Sequence, residues 1–224
     1  MTISRRKFLT VSGAFAAVPL LTKAQTGQTS SSRETFSAEF LASLPQLMEW
    51  AIGKGYDRFM DGTGKLVMPG EKISWDQHLH AVGEEITGGS EIGLWFYPKG
   101  QEPKFRTMLS LYSGVTGGNR NLDIAPNSIS VGQNFHVMRK AGRVENFQPH
   151  MHLRGKAMMV EAVLPSGQRQ VISHVKDFNF MWMTTFVYAD DAAPLLPKGT
   201  LLKVTAWHDN TVAKKSNPDP NQWV

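Results

Sequence analysis

From about residue 64 to the C-terminus, short apolar and β-branched runs are cut by Gly and Pro turn signals roughly every 8–12 residues, and this punctuation constrains the fold most. Met68-Pro69-Gly70, Thr87-Gly88-Gly89-Ser90, Gly117-Gly118-Asn119, Pro165-Ser166-Gly167 and Pro197-Lys198-Gly199 separate runs too short for ordinary helices. The pattern predicts strands at 64–68, 72–80, 91–97, 104–112, 129–138, 156–164, 168–174, 180–188 and 200–208. Connections this short join antiparallel neighbours, so the expected architecture is all-β: an antiparallel β-sandwich or jelly roll. Phe178, Phe180, Trp182 and Trp207 read as its core. Upstream, Phe36, Phe40, Leu41, Leu44, Leu47, Met48 and Ala51 follow helical spacing broken at Pro45, which predicts a short helical segment over 36–52. The Gly117–Asn121 stretch is the expected seam between a partial unit at 36–116 and a near-complete one at 121–224.

The N-terminus carries an address. Ser4-Arg5-Arg6-Lys7-Phe8-Leu9 has the form of a twin-arginine export signal, and the apolar run from Phe8 to Leu21 is short for a bilayer span. Thr22-Lys23-Ala24 supplies the small-residue exit, so residues 1–24 read as a signal peptide cleaved before Gln25. Residues 25–35, rich in Ser, Thr, Gln and Gly, read as a flexible linker. The expected location is periplasmic or secreted, with no stable membrane span after cleavage.

Export changes the meaning of the charge. Of the formal +5, four charges come from Arg5, Arg6, Lys7 and Lys23, and no acid offsets them before residue 25. The remainder is near neutral and has no Lys/Arg cluster interleaved with aromatics, so nucleic acid is not an expected partner. The chain has no cysteine. Stability must therefore come from a real core, and thiolate metal sites and cysteine nucleophiles are excluded.

The chemistry-bearing residues are histidines. Four of the seven lie in two His-x-His pairs, His78/His80 and His150/His152. Both pairs fall in stretches that read as strand, where alternate side chains share a face, so each pair can present two imidazoles to one metal. A lone His-x-His is as often two surface histidines; its repetition favours metal. His136, on an apolar strand, reads as structural, and His174 as a surface residue. His208 reads either as an orienting neighbour of a ligand or as a turn cap. Arg154 and Lys156 read as solvated or paired with Glu161 and Asp177. No phosphate loop, Gly-x-Ser-x-Gly elbow or His-Glu-x-x-His is present. A cupin would need a Glu four or five residues after the histidine pair, where Lys156 and Ala157 stand.

These blocks resemble a known family. His150-Met151-His152-Leu153-Arg154-Gly155-Lys156 is similar to the methionine-site histidine pair of the copper type II ascorbate-dependent monooxygenases, which include the peptidylglycine α-hydroxylating and dopamine β-monooxygenases. Gln77-His78-Leu79-His80-Ala81-Val82-Gly83, followed by Glu91-Ile92-Gly93-Leu94-Trp95-Phe96, resembles the segment with the last histidine of that family's other copper site. His208-Asp209-Asn210 and Asn217-Pro218-Asp219-Pro220 resemble a run found in its bacterial branch. The resemblance implies two jelly-roll domains and copper as cofactor, with His150 and His152 in a His-His-Met site and His78 in a three-histidine site. It implies C–H hydroxylation of a small molecule or peptide, using O2 and an ascorbate-like donor. The family's adjacent His-His pair and its methionine ligand have no counterpart at the matching positions. The alternatives are therefore a non-catalytic copper- or partner-binding β-sandwich, a fragment of a two-copper enzyme, or a chain whose missing ligands a partner supplies.

Overall fold

The computed structural model describes residues 7–8, 46–75, 83–85, 87–115 and 122–224. Among them every regular element is a strand and none is a helix. No helix of the described residues is long and apolar enough to cross a membrane. Residues 36–45 of the expected helical segment lie outside the described residues, as do Arg5, Arg6, the 25–35 stretch and Gly117–Asn121. Residues 46–52 are not helical. They run into a tight turn in which Ala51 and Lys54 pair through their backbones around Gly53, at φ 89°. Gly53 ends any helical run there because its backbone sits where only glycine is unstrained.

The chain divides into two compact units, one holding residues 1–48 and 57–109, the other residues 49–56 and 110–224. In the first, β1 (Lys7–Phe8) pairs antiparallel with β3 (Leu66–Val67), and β2 (Thr63–Gly64) runs parallel to β4 (Phe105–Arg106). Val67 is the buried centre of a small cluster with Leu47, Phe59, Ile73 and Leu94. The buried Lys65 donates to the carbonyls of Gln46 and Leu47. The expected strands at 72–80, 91–97 and 104–112 shrink accordingly. Residues 72–75 carry no strand, 91–97 only a single bridge at Phe96, and 104–112 only β4; residues 76–80 lie outside the described set. Alternation alone does not make a strand where no neighbour offers a ladder, and here Trp95 lies against Gly93 instead.

The second unit is built on a four-stranded antiparallel sheet of order β5-β12-β8-β9. Its strands are β5 (Ile129–Val137), β8 (Gly155–Val163), β9 (Arg169–Val175) and β12 (Leu201–Asp209), close to the sequence expectation. One face is apolar and closed: Met158, Val160 and Ala162 of β8 and Leu202, Val204 and Ala206 of β12 pack with Met151, Phe178, Met183 and Leu196. Two short antiparallel pairs supply the opposing layer. These are β6 (Gly142–Arg143) with β11 (Leu195–Leu196), and β7 (Asn146–Phe147) with β10 (Phe186–Val187). Leu196, Val144 and Phe147 reach the same core, so the unit is sandwich-like.

Two aromatic expectations need correction. Phe178 is buried and Phe180 packs on the core, but Trp182 is 62 % exposed. The expected strand 180–188 is only β10, and Trp182 sits in a turn closed by its own N–H to the Asn179 carbonyl, where strand alternation does not apply. Trp207 is half-buried on the outer face of the sheet, beside His174 with ring centroids 6.0 Å apart.

Candidate metal centre

His150 and His152 lie just before β8 rather than in a strand. The carbonyl of His152 accepts the Gly155 N–H at 2.8 Å, closing the turn that leads into β8. Alternation nevertheless survives in this segment: Met151 is buried in the core while His150 and His152 are exposed. Gly155 is what allows it. A Cβ there would stand 2.5 Å from Met151 Cβ, 2.8 Å from Phe178 Cδ1 and 3.0 Å from the His152 carbonyl oxygen. With no side chain at 155, Met151 drops beneath the turn and the imidazoles on either side face out. Their rings meet edge to face, with centroids 5.6 Å apart.

Sequence reasoning missed a third residue. Glu49, from the 49–56 segment, places Oε1 3.1 Å from His150 Nδ1. That segment is docked by the Met183 N–H to the Ile52 carbonyl at 2.7 Å, and by Gly53, whose Cβ position lies 2.8 Å from Trp182 Cα. The hydrogen bond with His150 holds the Glu49 carboxyl below its usual range, against the opposing pull of partial burial; the charges of His150 and Lys54 act in the same sense as that bond. A carboxylate on Nδ1 fixes the ring orientation and leaves Nε2 as the nitrogen able to face a metal. Made by a half-buried carboxylate to an exposed imidazole, the contact adds modestly to stability; its main consequence is orientation. No local motif could have revealed Glu49, because it lies about 100 residues from its partner in an unremarkable sequence.

Around the pair, the Asn-Pro-rich block forms a clasp. Asn210 is fully buried. Its Oδ1 accepts from Arg154 Nε at 2.7 Å and from Asn217 Nδ2 at 2.9 Å, while its Nδ2 donates to the Ala125 and Gln222 carbonyls. Arg154 also donates to the Asp219 carbonyl at 2.9 Å. Lys156 is the extra residue where the β8–β12 register shifts between Trp207 and His208, and it swings out to Asp209 at 3.0 Å. Arg154 and Lys156 therefore do not pair with Glu161 and Asp177; Glu161 is taken by Lys203 at 3.0 Å. Burial pulls the Asp209 carboxyl upward, but the Thr211 hydroxyl and amide and the Lys156 ammonium outweigh it and hold it below the usual range.

The other histidines separate cleanly. His136 Nε2 pairs with the Ser113 carbonyl at 3.1 Å and its ring lies against Tyr112, a structural role. His174 is exposed on β9. His208 is no turn cap: it is buried in β12, its Nδ1 meets no partner, and burial pushes its pKa down. It lines a recess of about 270 Å³ with Ser130, Gly132 and Asp123, and neither His150 nor His152 borders that recess. His78 and His80 lie outside the described residues. Among the described residues, no group of three or more His, Cys, Asp or Glu side chains is arranged to hold a metal. No protein-family model matches this chain, and neither does any curated protein or solved structure.

Proposed function

We propose that this is an exported copper-binding protein in which His150 and His152 hold the ion through their outward nitrogens and Glu49 orients His150. The observation that carries the reading is the pair itself: two exposed imidazoles, ring centroids 5.6 Å apart, one of them held at Nδ1 by a carboxylate. A set of imidazoles without thiolate suits copper or zinc, and the preference for copper rests on the family resemblance. His78 is proposed as a ligand of a separate site. In its fuller form the reading is a jelly-roll, monooxygenase-like oxidoreductase acting on a small molecule or peptide with O2 and an ascorbate-like donor. When bound, copper would supply one-electron redox chemistry at open coordination positions. The chain's own contribution is to fix two imidazoles on a turn anchored by Met151, Gly155 and the Asn210 clasp.

The second reading, a non-catalytic copper- or partner-binding β-sandwich, is favoured by the meeting of only two histidines among the described residues. Copper titration of the purified chain separates these readings from none at all. His150→Ala and His152→Ala should each lose most of the affinity and His174→Ala none, whereas equal binding by all four proteins would remove the metal reading. Copper-dependent O2 consumption with ascorbate distinguishes the enzyme from the binding module. Export is checked by periplasmic recovery, which Arg5→Lys with Arg6→Lys should abolish; unchanged recovery would contradict it.

A further inference from the structure

We infer that residues 49–56 form a metal-coupled latch: an ion on His150 and His152 tightens the docking of this segment, and the docked segment in turn tightens the hold on the ion. The inference rests on the metal reading of the histidine pair and adds a moving part to it. The segment interrupts the other unit, which supplies the chain before it up to Met48 and after it from Asp57. It contributes no strand. It is held instead by Glu49 on His150 Nδ1 at 3.1 Å, by Ala51 in the core, by the Ile52 carbonyl on the Met183 N–H, and by the Gly53 backbone against Trp182.

These holds are small. Ala51 buries one methyl group, Ile52 is half-buried, and Trp50 and Tyr56 on the flanks are 68 and 74 % exposed. So little apolar burial, without a strand ladder, makes the segment open far more readily than the four-stranded sheet. The hold at Glu49 gives the latch its direction. When Nε2 of His150 gives its lone pair to a cation, the ring loses electron density and its Nδ1–H becomes a stronger donor. The acceptor of that hydrogen is the Glu49 carboxylate, so a loaded ring grips the segment harder than an empty one. Linkage makes the effect reciprocal: the factor by which docked Glu49 raises ion affinity is the factor by which the ion favours docking. A carboxylate behind a ligand imidazole is worth about 10–100-fold, and the low end suits one that is 28 % exposed. Both ends of the segment continue into the other unit, so the ion also restrains that unit's chain at residues 48 and 57.

Lys54 supplies the readout. Its side chain is 5 % exposed, so trypsin reaches the Lys54–Gly55 bond when the segment opens, and the cleavage rate follows the open population. The exposed Lys198, in the turn before β12, is the reference within the same chain. Copper binding is titrated on the full chain, and cleavage is then followed with and without saturating copper. Copper should slow cleavage at Lys54 about tenfold and leave Lys198 unchanged. Glu49→Gln, loaded to saturation, should lose that slowing. Gly53→Ala puts a Cβ 2.8 Å from the Trp182 Cα at a φ of 89°, so it should speed cleavage at Lys54 in the absence of copper. Copper that binds without protecting Lys54, equal protection in Glu49→Gln, or cleavage no faster in Gly53→Ala would each overturn the latch and leave the metal reading standing. A wild-type chain that binds no copper in the titration overturns both.

Discussion

Two residues decide whether the histidine pair faces outward. Gly155 is closely approached by Met151, Phe178 and the His152 carbonyl, and none of these is the loose end of a side chain free to move aside. Gly155→Ala should therefore cost roughly 1–3 kcal/mol, as overpacking of a formed core does. A thermal midpoint within error of wild type would show that the turn yields easily. In the proposed site Glu49 acts through His150. Glu49→Gln should weaken copper binding roughly 10-fold, since an amide orients Nδ1 less firmly than a carboxylate. The thermal midpoint should change little, because a single contact made at a partly exposed imidazole adds little to stability. A large loss of stability with unchanged affinity would reverse this assignment. Gly155 was readable as part of a motif; its packing role was not, because it depends on how the turn folds Met151 and the His152 carbonyl back under it, and Glu49 was not, because it comes from about 100 residues away.

The four long strands were legible because each is long, β-branched and answered by a neighbour of matching length, as β12 is on both sides. The pairs β6–β11 and β7–β10 were not, since two-residue ladders leave no periodicity to read. The expected strand at 180–188 failed for the converse reason: its apolar content serves loop packing around Phe178 and Met183. The Asn210 clasp ties the end of β12 to the turn after the histidine pair and to the C-terminal residues Asp219 and Gln222. Asn210→Ala leaves the Arg154 guanidinium and two carbonyls without this partner, and should cost roughly 2–4 kcal/mol, on the scale of a buried network with a charged member. Hydrogen exchange should rise together at Arg154 and at residues 210–224. Protection unchanged in that segment would mean the clasp is incidental.

For the molecule as a whole, a pH dependence follows from His208, which is buried among the described residues. Burial lowers its pKa from the usual value of about 6.5, so the unfolded chain takes up a proton at a pH where the folded chain stays neutral. Its contribution is complete above that pH and is lost as pH falls below it, by at most about 1.4 kcal/mol per pH unit for one proton. His208→Gln should flatten the urea midpoint across this range; an equal slope in wild type and variant would assign it elsewhere. The all-β class followed from Gly/Pro punctuation, but the way the sandwich-like unit recruits residues 49–56 did not, because that segment contributes contacts rather than a strand. The central claim is that His150 and His152 share one ion, and pulsed electron paramagnetic resonance of the Cu(II)-loaded chain addresses it most directly by counting coupled imidazoles. Two remote imidazole nitrogens are expected in the wild type at one equivalent of copper, one in His152→Ala, and none in the double variant. A spectrum unchanged by the double substitution would contradict the account.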